Sequence, residues 1–384
     1  MTCRVCGAIV ASPRYRSSGT VSLTSMSTIV PQATEVYVCE ACGHIQTPPI
    51  GDLDAYYRST YQLLADSEDE DQIYEVVDGV TVFRADHQAD TLLATGELGD
   101  GALVLDFGCA KGATSRKLLA RRPDLVLHLF DVTDRYRQHW ATLAPTERTA
   151  VEVVPPGWDA RFDVVASFFV LEHVERPVDA LRTMAGLVRP GGVVHVVVPN
   201  PATNVADFIV IDHVNHFTAP SLARVLADAG LEDVVVDADA HRGAWVARGR
   251  RPAGGEPEPF DPGAWPVAPA VAEGVELAAF WAGARDRVAA AERQVEGRPV
   301  AIYGAGFYGA FVRACLADPD AIVAYVDQNP YLQGTVHFDR PVVAPDDLPA
   351  EVTDLLVGLN PKVARDIITA VPAFAGRDLR FHYL

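Results

Sequence analysis

The sequence lacks any apolar run long enough to cross a bilayer, and its first residues lack the long apolar segment of a secretory signal. Basic residues are scarce: the chain has 32 Lys and Arg but 51 Asp and Glu, which gives a net charge of −19. Nucleic acid is therefore a poor partner, since phosphate binding needs clustered Lys and Arg. These absences predict a globular, cytoplasmic protein with reduced cysteines and no membrane partner.

Four of the six cysteines occur as two Cys-x-x-Cys pairs, and each pair is followed by glycine. The paired residues are Cys3, Cys6, Cys39 and Cys42. Two such knuckles can place four thiolates tetrahedrally around Zn²⁺, and the glycines permit the tight turns that direct N–H groups at sulfur. The pattern favours a structural zinc over a redox disulfide, and a closed shell of four sulfurs predicts no catalytic role for the metal. His44 ranks below the cysteines as a ligand.

A strand, a glycine turn and a helix follow one another in the first half of the chain. Residues 103–105 are a short apolar run that predicts a buried parallel strand, with Asp106 at its carboxyl end. Gly108 and Gly112 let the backbone approach a ligand where a Cβ would collide, and Cys109 lies between them. The turn leads into the N-terminus of a helix, whose N–H groups favour an electron-rich or anionic ligand.

Three further buried strands are predicted after this turn. Residues 128–131 end in Asp131, an acid suited to binding a ribose diol, and residues 162–167 and 193–198 form the other two. The Asp-x-Gly-Cys-x-x-Gly turn, the acidic second strand and the later Pro-Gly-Gly turn together resemble class I S-adenosylmethionine-dependent methyltransferases. The alternative is a Rossmann-like domain for another nucleotide. The resemblance implies an α/β Rossmann-like core with these cofactor contacts: Asp106, Gly108, Cys109, Gly112, Asp131 and Phe169.

Residues capable of acid–base chemistry lie downstream of these strands. Asp212, His213, Asn215 and His216 fall within five positions, just before a predicted helix, and are hard to explain as core. Zinc binding here is disfavoured, because these spacings match no common catalytic zinc site. We therefore predict a substrate-facing cluster in which one His, oriented by a carboxylate, removes a proton. His173 is a further candidate, because imidazole exchanges protons near neutral pH.

The strand–glycine–helix arrangement recurs after a Pro- and Gly-rich connector. Residues 300–303 predict a strand before a Gly-x-Gly-x-x-Gly turn that begins at Gly304, and residues 322–326 predict a second strand before Asp327. This predicts a second, smaller Rossmann-like domain. It could bind NAD(P), hold the nucleotide part of an acceptor, or be purely architectural, and the bulky Tyr308 crowds a pyrophosphate in the turn.

The order of these motifs resembles the three-domain sugar C-methyltransferases, which methylate nucleotide-linked ketodeoxysugars in antibiotic pathways. The predicted domains are a zinc-binding β domain (1–50), a methyltransferase domain (51–249) and a Rossmann-like domain (250–384). The resemblance implies that His213 is the base of an enolate mechanism and that His173 is an auxiliary polar group. The expected cofactors are S-adenosylmethionine and structural Zn²⁺, and the expected partner is a nucleotide-sugar. We expect a monomer or a weak homo-oligomer.

Two departures from that family leave alternatives open. The family's motif usually reads Tyr-x-Glu-His, where this chain has Val-Ile-Asp-His ending at His213. Three tyrosines within residues 54–61, candidates for a lid or for core packing, and an acidic run at 66–71 replace its Ser- and Tyr-rich segment. Methylation at oxygen or nitrogen of another small acceptor is one alternative, and a fusion with a functional NAD(P) oxidoreductase domain is another. Helical spacing of apolar residues predicts a helix over residues 73–98, and a stretch rich in Ala, Glu and Arg predicts another over residues 271–296.

Overall fold

The computed structural model describes residues 1–19, 21–51, 71–77, 80–295 and 297–384. The three tyrosines of residues 54–61 and residues 66–70 of the acidic run lie outside the described residues. The chain packs as two compact units, each discontinuous in sequence: the first is Met1–Ala11, Val38–Pro201 and Val214–Ala272, and the second is Ser12–Tyr37, Ala202–His213 and Glu273–Leu384. The division into three consecutive domains, which was inferred from the sequence, remains a prediction.

Strands and helices alternate through most of both units. The strands are β1 Tyr15–Arg16, β2 Ser22–Leu23, β3 Ile29–Val30, β4 Glu35–Val38, β5 Ile45–Gln46, β6 Ile73–Val77, β7 Val80–Phe83, β8 Leu103–Phe107, β9 Val126–Asp131, β10 Thr149–Val151, β11 Phe162–Phe168, β12 Val188–Pro199, β13 Asn215–His216, β14 Glu232–Asp237, β15 Ala244–Arg250, β16 Val300–Tyr303, β17 Ile322–Val326, β18 Val336–His337, β19 Arg340–Val343, β20 Asp354–Val357 and β21 Arg380–Tyr383. The helices are α1 Arg84–Ala94, α2 Ala113–Arg121, α3 Pro177–Leu187, α4 Ala219–Asp228, α5 Val267–Ala282, α6 Ala284–Val295, α7 Phe307–Cys315 and α8 Ala364–Thr369. Within the described ranges, no helix combines the length and the apolarity needed to span a bilayer.

A seven-stranded mixed sheet forms the centre of the first unit, in the order β10-β9-β8-β11-β12-β15-β14. Strands β8 to β12 pair in parallel, whereas β15 runs antiparallel to β12 and β14 antiparallel to β15. The central strands are apolar on both faces, as covered parallel strands must be, and Val104, Val164 and Val165 have no exposed surface. Because β9 and β11 flank β8 on opposite sides, the carboxyl end of β8 is a topological switch point, where such sheets bind ligands. The predicted class I α/β core is confirmed.

A hairpin precedes the first long helix, and the prediction of a helix over residues 73–98 is wrong there. Strands β6 and β7 pair antiparallel, and the helix α1 covers only Arg84–Ala94. The run is rich in β-branched Val, Ile and Thr, which favour strands, and an Asp-Gly dipeptide stands in the sequence between the two halves. These hairpin signals outweigh the helical spacing of the apolar residues. The helix predicted over 271–296 is also divided, at Gly283, into α5 and α6.

A six-stranded sheet forms the centre of the second unit, in the order β18-β19-β17-β16-β20-β21. Its pairs are parallel except β18 with β19. Alternate residues of β16 pack on opposite faces: Val300 and Ile302 lie in a cluster with residues of α6 and α7, and Ala301 and Tyr303 in a cluster with residues of α8. The strands predicted at residues 300–303 and 322–326 are confirmed.

Candidate functional site

The first glycine turn connects β8 to α2 at the carboxyl edge of the seven-stranded sheet. Gly108 and Gly112 have φ angles of 81° and 72°, in the left-handed region that favours glycine. A Cβ on Gly108 would lie 2.5 Å from Val170 Cγ2, and a Cβ on Gly112 would lie 2.5 Å from Leu143 Cδ1. The left-handed φ favours glycine at both positions, and at Gly108 the close contact with Val170 adds a packing requirement that does not depend on any ligand.

Two buried carboxyl groups flank this turn. Asp106 Oδ2 accepts a hydrogen bond of 2.7 Å from Ser115 Oγ, and Asp131 Oδ2 accepts one of 2.8 Å from the Ala110 N–H. Burial raises the pKa of Asp106 to about 7, although the Ser115 hydrogen bond opposes this, and burial also raises the pKa of Asp131. A ligand that brings positive charge and hydroxyl donors would stabilise the ionised carboxylates. The residues present therefore fit a sulfonium nucleoside.

Cys109 lies in the same turn, but its side chain packs inward. It belongs to an apolar cluster with Leu129, Tyr136 and Trp140, and burial raises the pKa of its thiol well above the usual value. The thiol is therefore a packing group, and a ligand contact at this position would come from the main chain.

Phe169 is the first residue after β11, at the same edge of the sheet. Its φ of 57° is unusual for a residue other than glycine, and such backbone strain is frequent at functional sites. Its ring contacts Arg84, at the start of α1, and His241, in the loop before β15. Sequence reasoning identified Phe169 but missed the two basic residues, because no motif surrounds them and they are distant from Phe169 in sequence.

The five candidate acid–base residues are divided between the two units. His213 and Asp212 belong to the second unit, whereas His173, Asn215 and His216 belong to the first.

In the second unit, His213 pairs with a carboxylate that sequence reasoning missed. His213 Nδ1 lies 2.5 Å from Asp207 Oδ1, and both residues are buried. Nδ1–H donates to the carboxylate, so the lone pair of the neutral ring is on Nε2. Asp212, the nearer acid in sequence, instead accepts hydrogen bonds from the Ser25 N–H at 2.6 Å and from Ser25 Oγ at 2.7 Å. The 3₁₀ turn Val205–Ile209 brings Asp207 to the imidazole across six positions, a spacing for which no sequence motif exists.

Three side chains of the second unit hold the main chain that leads to this pair. They are Tyr308, whose Oη accepts a hydrogen bond of 2.8 Å from the Ala206 N–H, Trp281, whose Nε1 donates to the Val205 oxygen at 2.9 Å, and Asn360, whose Nδ2 donates to the Thr203 oxygen at 2.7 Å. Burial raises the pKa of Tyr308, so its hydroxyl stays neutral. The segment that carries Asp207 and His213 is thus fixed from the C-terminal part of its own unit.

In the first unit, Asn215 acts as a bridge between main-chain segments. Its Nδ2 donates to the oxygens of Leu171 at 2.9 Å and of Val174 at 2.7 Å, and its Oδ1 accepts from His44 Nε2 at 3.2 Å. These bonds hold the 3₁₀ turn Leu171–His173, on which His173 is half-buried. Burial lowers the pKa of His44 to about 3, which keeps its ring neutral.

His216 follows Asn215 in β13, which pairs with β5, and is fully buried. Its Nε2 lies 2.8 Å from Thr47 Oγ1. The Arg4 guanidinium donates to the Thr47 oxygen at 3.0 Å and to the Val214 oxygen at 2.8 Å, and so connects this strand pair to the N-terminal segment. The contacts described for Asn215 and His216 are therefore of the kind that stabilises the fold.

The four paired cysteines come together in the first unit, with all Sγ atoms within 4.8 Å of one another. The distances from Cys3 Sγ to Cys42 Sγ and from Cys6 Sγ to Cys39 Sγ are both 3.6 Å. A disulfide would require about 2.05 Å. Two sulfurs of a tetrahedral zinc site lie about 3.8 Å apart, since Zn–S bonds are about 2.3 Å. The sulfur positions therefore fit Zn²⁺, and His44 is not part of the cluster.

The second glycine turn has the same plan as the first. The Ala305 N–H donates to Asp327 Oδ2 at 2.8 Å, as the corresponding alanine of the first turn does to Asp131. A Cβ on Gly304 would collide with the Gly358 carbonyl, and one on Gly309 with the Gly304 carbonyl, whereas the space at Gly306 is open. The first and third glycines thus serve backbone packing, and the second leaves room beside the turn.

Comparison with known proteins agrees with this geometry. Residues 83–236 match the family model described as methyltransferase domain. A ubiquinone biosynthesis O-methyltransferase of Paraburkholderia phytofirmans is 30% identical over 97 residues, which are 24% of this chain and 42% of that protein. A tRNA U34 carboxymethyltransferase of a Geobacter species is 34% identical over 122 residues, 29% of this chain and 36% of that protein.

The solved structure of an O-methyltransferase family protein from Burkholderia thailandensis is similar at a TM-score of 0.34 and 20% identity, over 44% of this chain and 57% of that one. The chain spans about two fifths of the length of the curated relatives named above, at 42% and 36%. The matched segment contains β8 to β12, the first glycine turn and Phe169. Residues 83–236 are therefore a methyltransferase domain of the class I, S-adenosylmethionine-dependent type.

Proposed function

We propose that the chain is an S-adenosylmethionine-dependent methyltransferase that acts on a small molecule. The methyltransferase domain supports this, as does the turn at Gly108 and Gly112 between two buried acids. In the proposal, the main chain of this turn approaches the cofactor, Asp131 binds the ribose hydroxyls and Asp106 faces the positive charge. When bound, the cofactor supplies an electrophilic methyl group.

The observation that carries the reaction type is the buried 2.5 Å contact between His213 Nδ1 and Asp207 Oδ1. In the proposal, Asp207 fixes the imidazole so that Nε2 takes a proton from the carbon next to a carbonyl of the acceptor, which leaves an enolate. His173 serves as an auxiliary polar group. Asp212, Asn215 and His216 have positioning roles, which agrees with the hydrogen bonds they make inside their own units.

The proposed acceptor is a nucleotide-linked ketodeoxysugar, and the chemistry is C-methylation. The succession of paired cysteines, methyltransferase core, histidine segment and second glycine turn supports this choice, because it resembles the sugar C-methyltransferases. O- or N-methylation of another small acceptor is the competing proposal.

The test uses a panel of nucleotide-linked ketosugars with ¹³C-methyl-labelled cofactor. Mass spectrometry is expected to detect the gain of one CH₂, and NMR a ¹³C-methyl bonded to carbon. In D₂O with S-adenosylhomocysteine, the wild type is expected to exchange the acceptor's α-proton and His213→Ala is not. A labelled methyl on oxygen or nitrogen, without such exchange, would contradict the enolate mechanism.

The second glycine turn supports a further candidate function, binding of a nucleotide. The open space at Gly306 and the acid at Asp327 are the supporting observations. Calorimetric titration with NAD⁺ and with dTDP separates a dinucleotide site from a site for the acceptor's nucleotide. Binding of neither ligand would favour an architectural role.

We also propose that the four clustered cysteines bind one structural Zn²⁺. The glycines after both pairs support the knuckle geometry: Gly7 and Gly43 have φ angles of 74° and 73°, and their N–H groups donate to the Cys3 and Cys39 oxygens at 3.0 and 2.8 Å. Four sulfur ligands close the tetrahedral shell, so the metal would stabilise the fold and take no part in proton or methyl transfer.

A further inference from the structure

Two basic side chains meet the ring of Phe169 at the carboxyl edge of the seven-stranded sheet. Arg84 Cζ lies 5.0 Å from the ring centroid of Phe169, and the centroid of the His241 ring lies 5.9 Å from it. We call Arg84, Phe169 and His241 the Phe169 corner. Because Phe169 follows β11 directly, the corner is at the edge of the sheet that also carries the first glycine turn.

His241 presents a buried hydrogen-bond donor that the described residues do not satisfy. The residue is 5% exposed, and its Nδ1 accepts a hydrogen bond of 3.2 Å from the Gly243 N–H. Its proton is therefore on Nε2, which is buried and has no partner among the residues the structure describes. A buried donor without a partner has lost its hydrogen bonds to water and gained none in return, so a partner from outside the chain is expected.

The surroundings of this donor are positively charged. Burial, reinforced by His87, Arg84 and Arg242, lowers the pKa of His241 to about 3. Arg84 contacts the face of Phe169, and no ion pair to a carboxylate is found for it in the described part of the chain. The Asp237 carboxylate, at the end of β14 just before the loop that carries His241, is already engaged by main-chain N–H groups.

Two arginines, Arg84 and Arg242, thus lie near one buried donor in a chain whose net charge is −19. Arg84 offers a planar guanidinium whose charge persists at all relevant pH values, and His241 Nε2–H adds a directed donor beside it. Together these groups match an anionic oxygen ligand better than a neutral or cationic one.

We propose that the Phe169 corner binds a carboxylate or phosphate group of a ligand, with Arg84 as the ion-pair partner and His241 Nε2–H as the hydrogen-bond donor. The inference rests on the proposed function for the identity of that ligand. Two molecules could supply the group: the cofactor, through the carboxylate of its amino-acid part, or the acceptor, through an anionic substituent. The experiment has one arm for each.

The first arm is calorimetry with S-adenosylhomocysteine and with 5′-methylthioadenosine, which keeps the nucleoside and sulfur but lacks the carboxylate. If the cofactor supplies the anion, Arg84→Gln and His241→Ala are expected to lower the affinity for S-adenosylhomocysteine about 10–100-fold. Their affinity for 5′-methylthioadenosine is expected to equal that of the wild type. Arg182→Gln, an equal loss of charge at an exposed site on α3, is the matched control. His241→Asn keeps a side-chain N–H donor and is expected to recover part of the affinity.

The second arm applies if all variants bind S-adenosylhomocysteine equally. Inorganic phosphate is titrated into the ¹⁵N-histidine-labelled wild type with S-adenosylhomocysteine bound, and a saturable shift of the His241 Nε2 resonance is expected. Arg84→Gln abolishes that shift and Arg182→Gln retains it. Circular dichroism of each variant verifies folding.

Unchanged affinity of the variants for S-adenosylhomocysteine, together with an absent phosphate shift in the wild type, overturns the proposal. If the wild type binds no S-adenosylhomocysteine, the proposed function fails. The phosphate titration of the protein alone then still decides whether the corner binds anions.

Discussion

At the scale of the residue, the histidine proposed as the base depends on one carboxylate. Asp207→Asn is expected to lower turnover about 10²–10⁴-fold, because an amide does not hold the required tautomer, and His213→Ala at least as much. The affinity for S-adenosylhomocysteine, measured by calorimetry, is expected to stay unchanged. Asp212→Asn is the matched control, since Asp212 contacts Ser25, and a smaller loss is expected. Equal losses in the two Asp→Asn variants would contradict the assignment.

The packing at Gly108 in the first turn can be tested by comparing Gly108→Ala with the same substitution at Gly101, whose Cβ position has no neighbouring atoms. Gly108→Ala combines a positive φ with a Cβ 2.5 Å from Val170, whereas Gly101 has a φ of 66° and nothing within 4 Å of its Cβ position. Gly108→Ala is therefore expected to lower the free energy of unfolding by about 1–3 kcal/mol more than Gly101→Ala. Denaturant titration measures the difference. Equal losses of unfolding free energy in the two variants would show that the contact with Val170 does not destabilise Gly108→Ala.

Individual side-chain partners were only partly predictable from sequence. Gly108 and Asp131 were identified because the turn and the strand end follow a local pattern. Asp207 and His241 were missed, because a 3₁₀ turn positions Asp207 and a loop between two strands positions His241. The contacts of both residues therefore depend on the three-dimensional fold. No periodicity of apolar residues encodes these contacts.

At the scale of the element, the cysteine knuckles give a direct prediction. Atomic emission is expected to find one zinc per chain in the wild type and almost none in Cys39→Ser. The variant is also expected to lose several kcal/mol of unfolding free energy, because metal binding and folding are coupled. Cys315→Ser is the matched control, since Cys315 lies in an apolar cluster, and it should retain the metal. Zinc retained in both variants would exclude the cysteine site.

The segment before Asp207 gives a second prediction at this scale. Tyr308→Phe removes the acceptor for the Ala206 N–H and is expected to lower kcat about 5–30-fold, the equivalent of a lost hydrogen bond of 1–2 kcal/mol. The downfield proton signal of His213 Nδ1 should shift as well, while cofactor affinity should not. Tyr325→Phe is the control, because the buried Tyr325 hydroxyl has no hydrogen-bond partner among the described residues. An unshifted signal in Tyr308→Phe would refute the positioning role.

Strands that follow a glycine turn or end in an acid were predicted well, whereas the β6–β7 hairpin was not. Buried parallel strands are short, continuous apolar runs, and their edges are marked by glycine or Asp. The hairpin residues happen to place apolar side chains at helical spacing, so the period alone could not distinguish the two structures. Its β-branched composition was the signal that could have done so.

At the scale of the whole molecule, the stability of the second unit is expected to depend on acid pH through Asp354. This residue has no exposed surface and accepts hydrogen bonds from Arg380 Nη2 at 2.6 Å and from His382 Nε2 at 3.0 Å. Burial alone would raise the pKa of Asp354, but these hydrogen bonds outweigh it and lower the pKa to about 2. The folded pKa is thus below the unfolded value of about 3.9, so the stabilisation is present above pH ~4 and is lost as the pH falls towards ~2.

Asp354→Asn is accordingly expected to reduce the free energy of unfolding by about 1–2 kcal/mol at neutral pH. This is less than the free energy that corresponds to the full pKa shift, because Arg380 reaches solvent and the interaction is partly screened. The difference from the wild type should vanish near the folded pKa of about 2. Urea denaturation over a pH series measures it. Asp320→Asn, whose side chain is 93% exposed beside Arg340, is expected to show no such trend. A pH-independent difference for Asp354→Asn would contradict the assignment.

Both compact units take their residues from stretches that are far apart in the chain. During translation, the segments 12–37 and 202–213 leave the ribosome long before the sheet of their own unit exists. The sequence suggests the Pro- and Gly-rich connector as a place to split the gene. A split there would put these segments on one polypeptide and the sheet of their unit on the other. Neither product would contain a complete second unit.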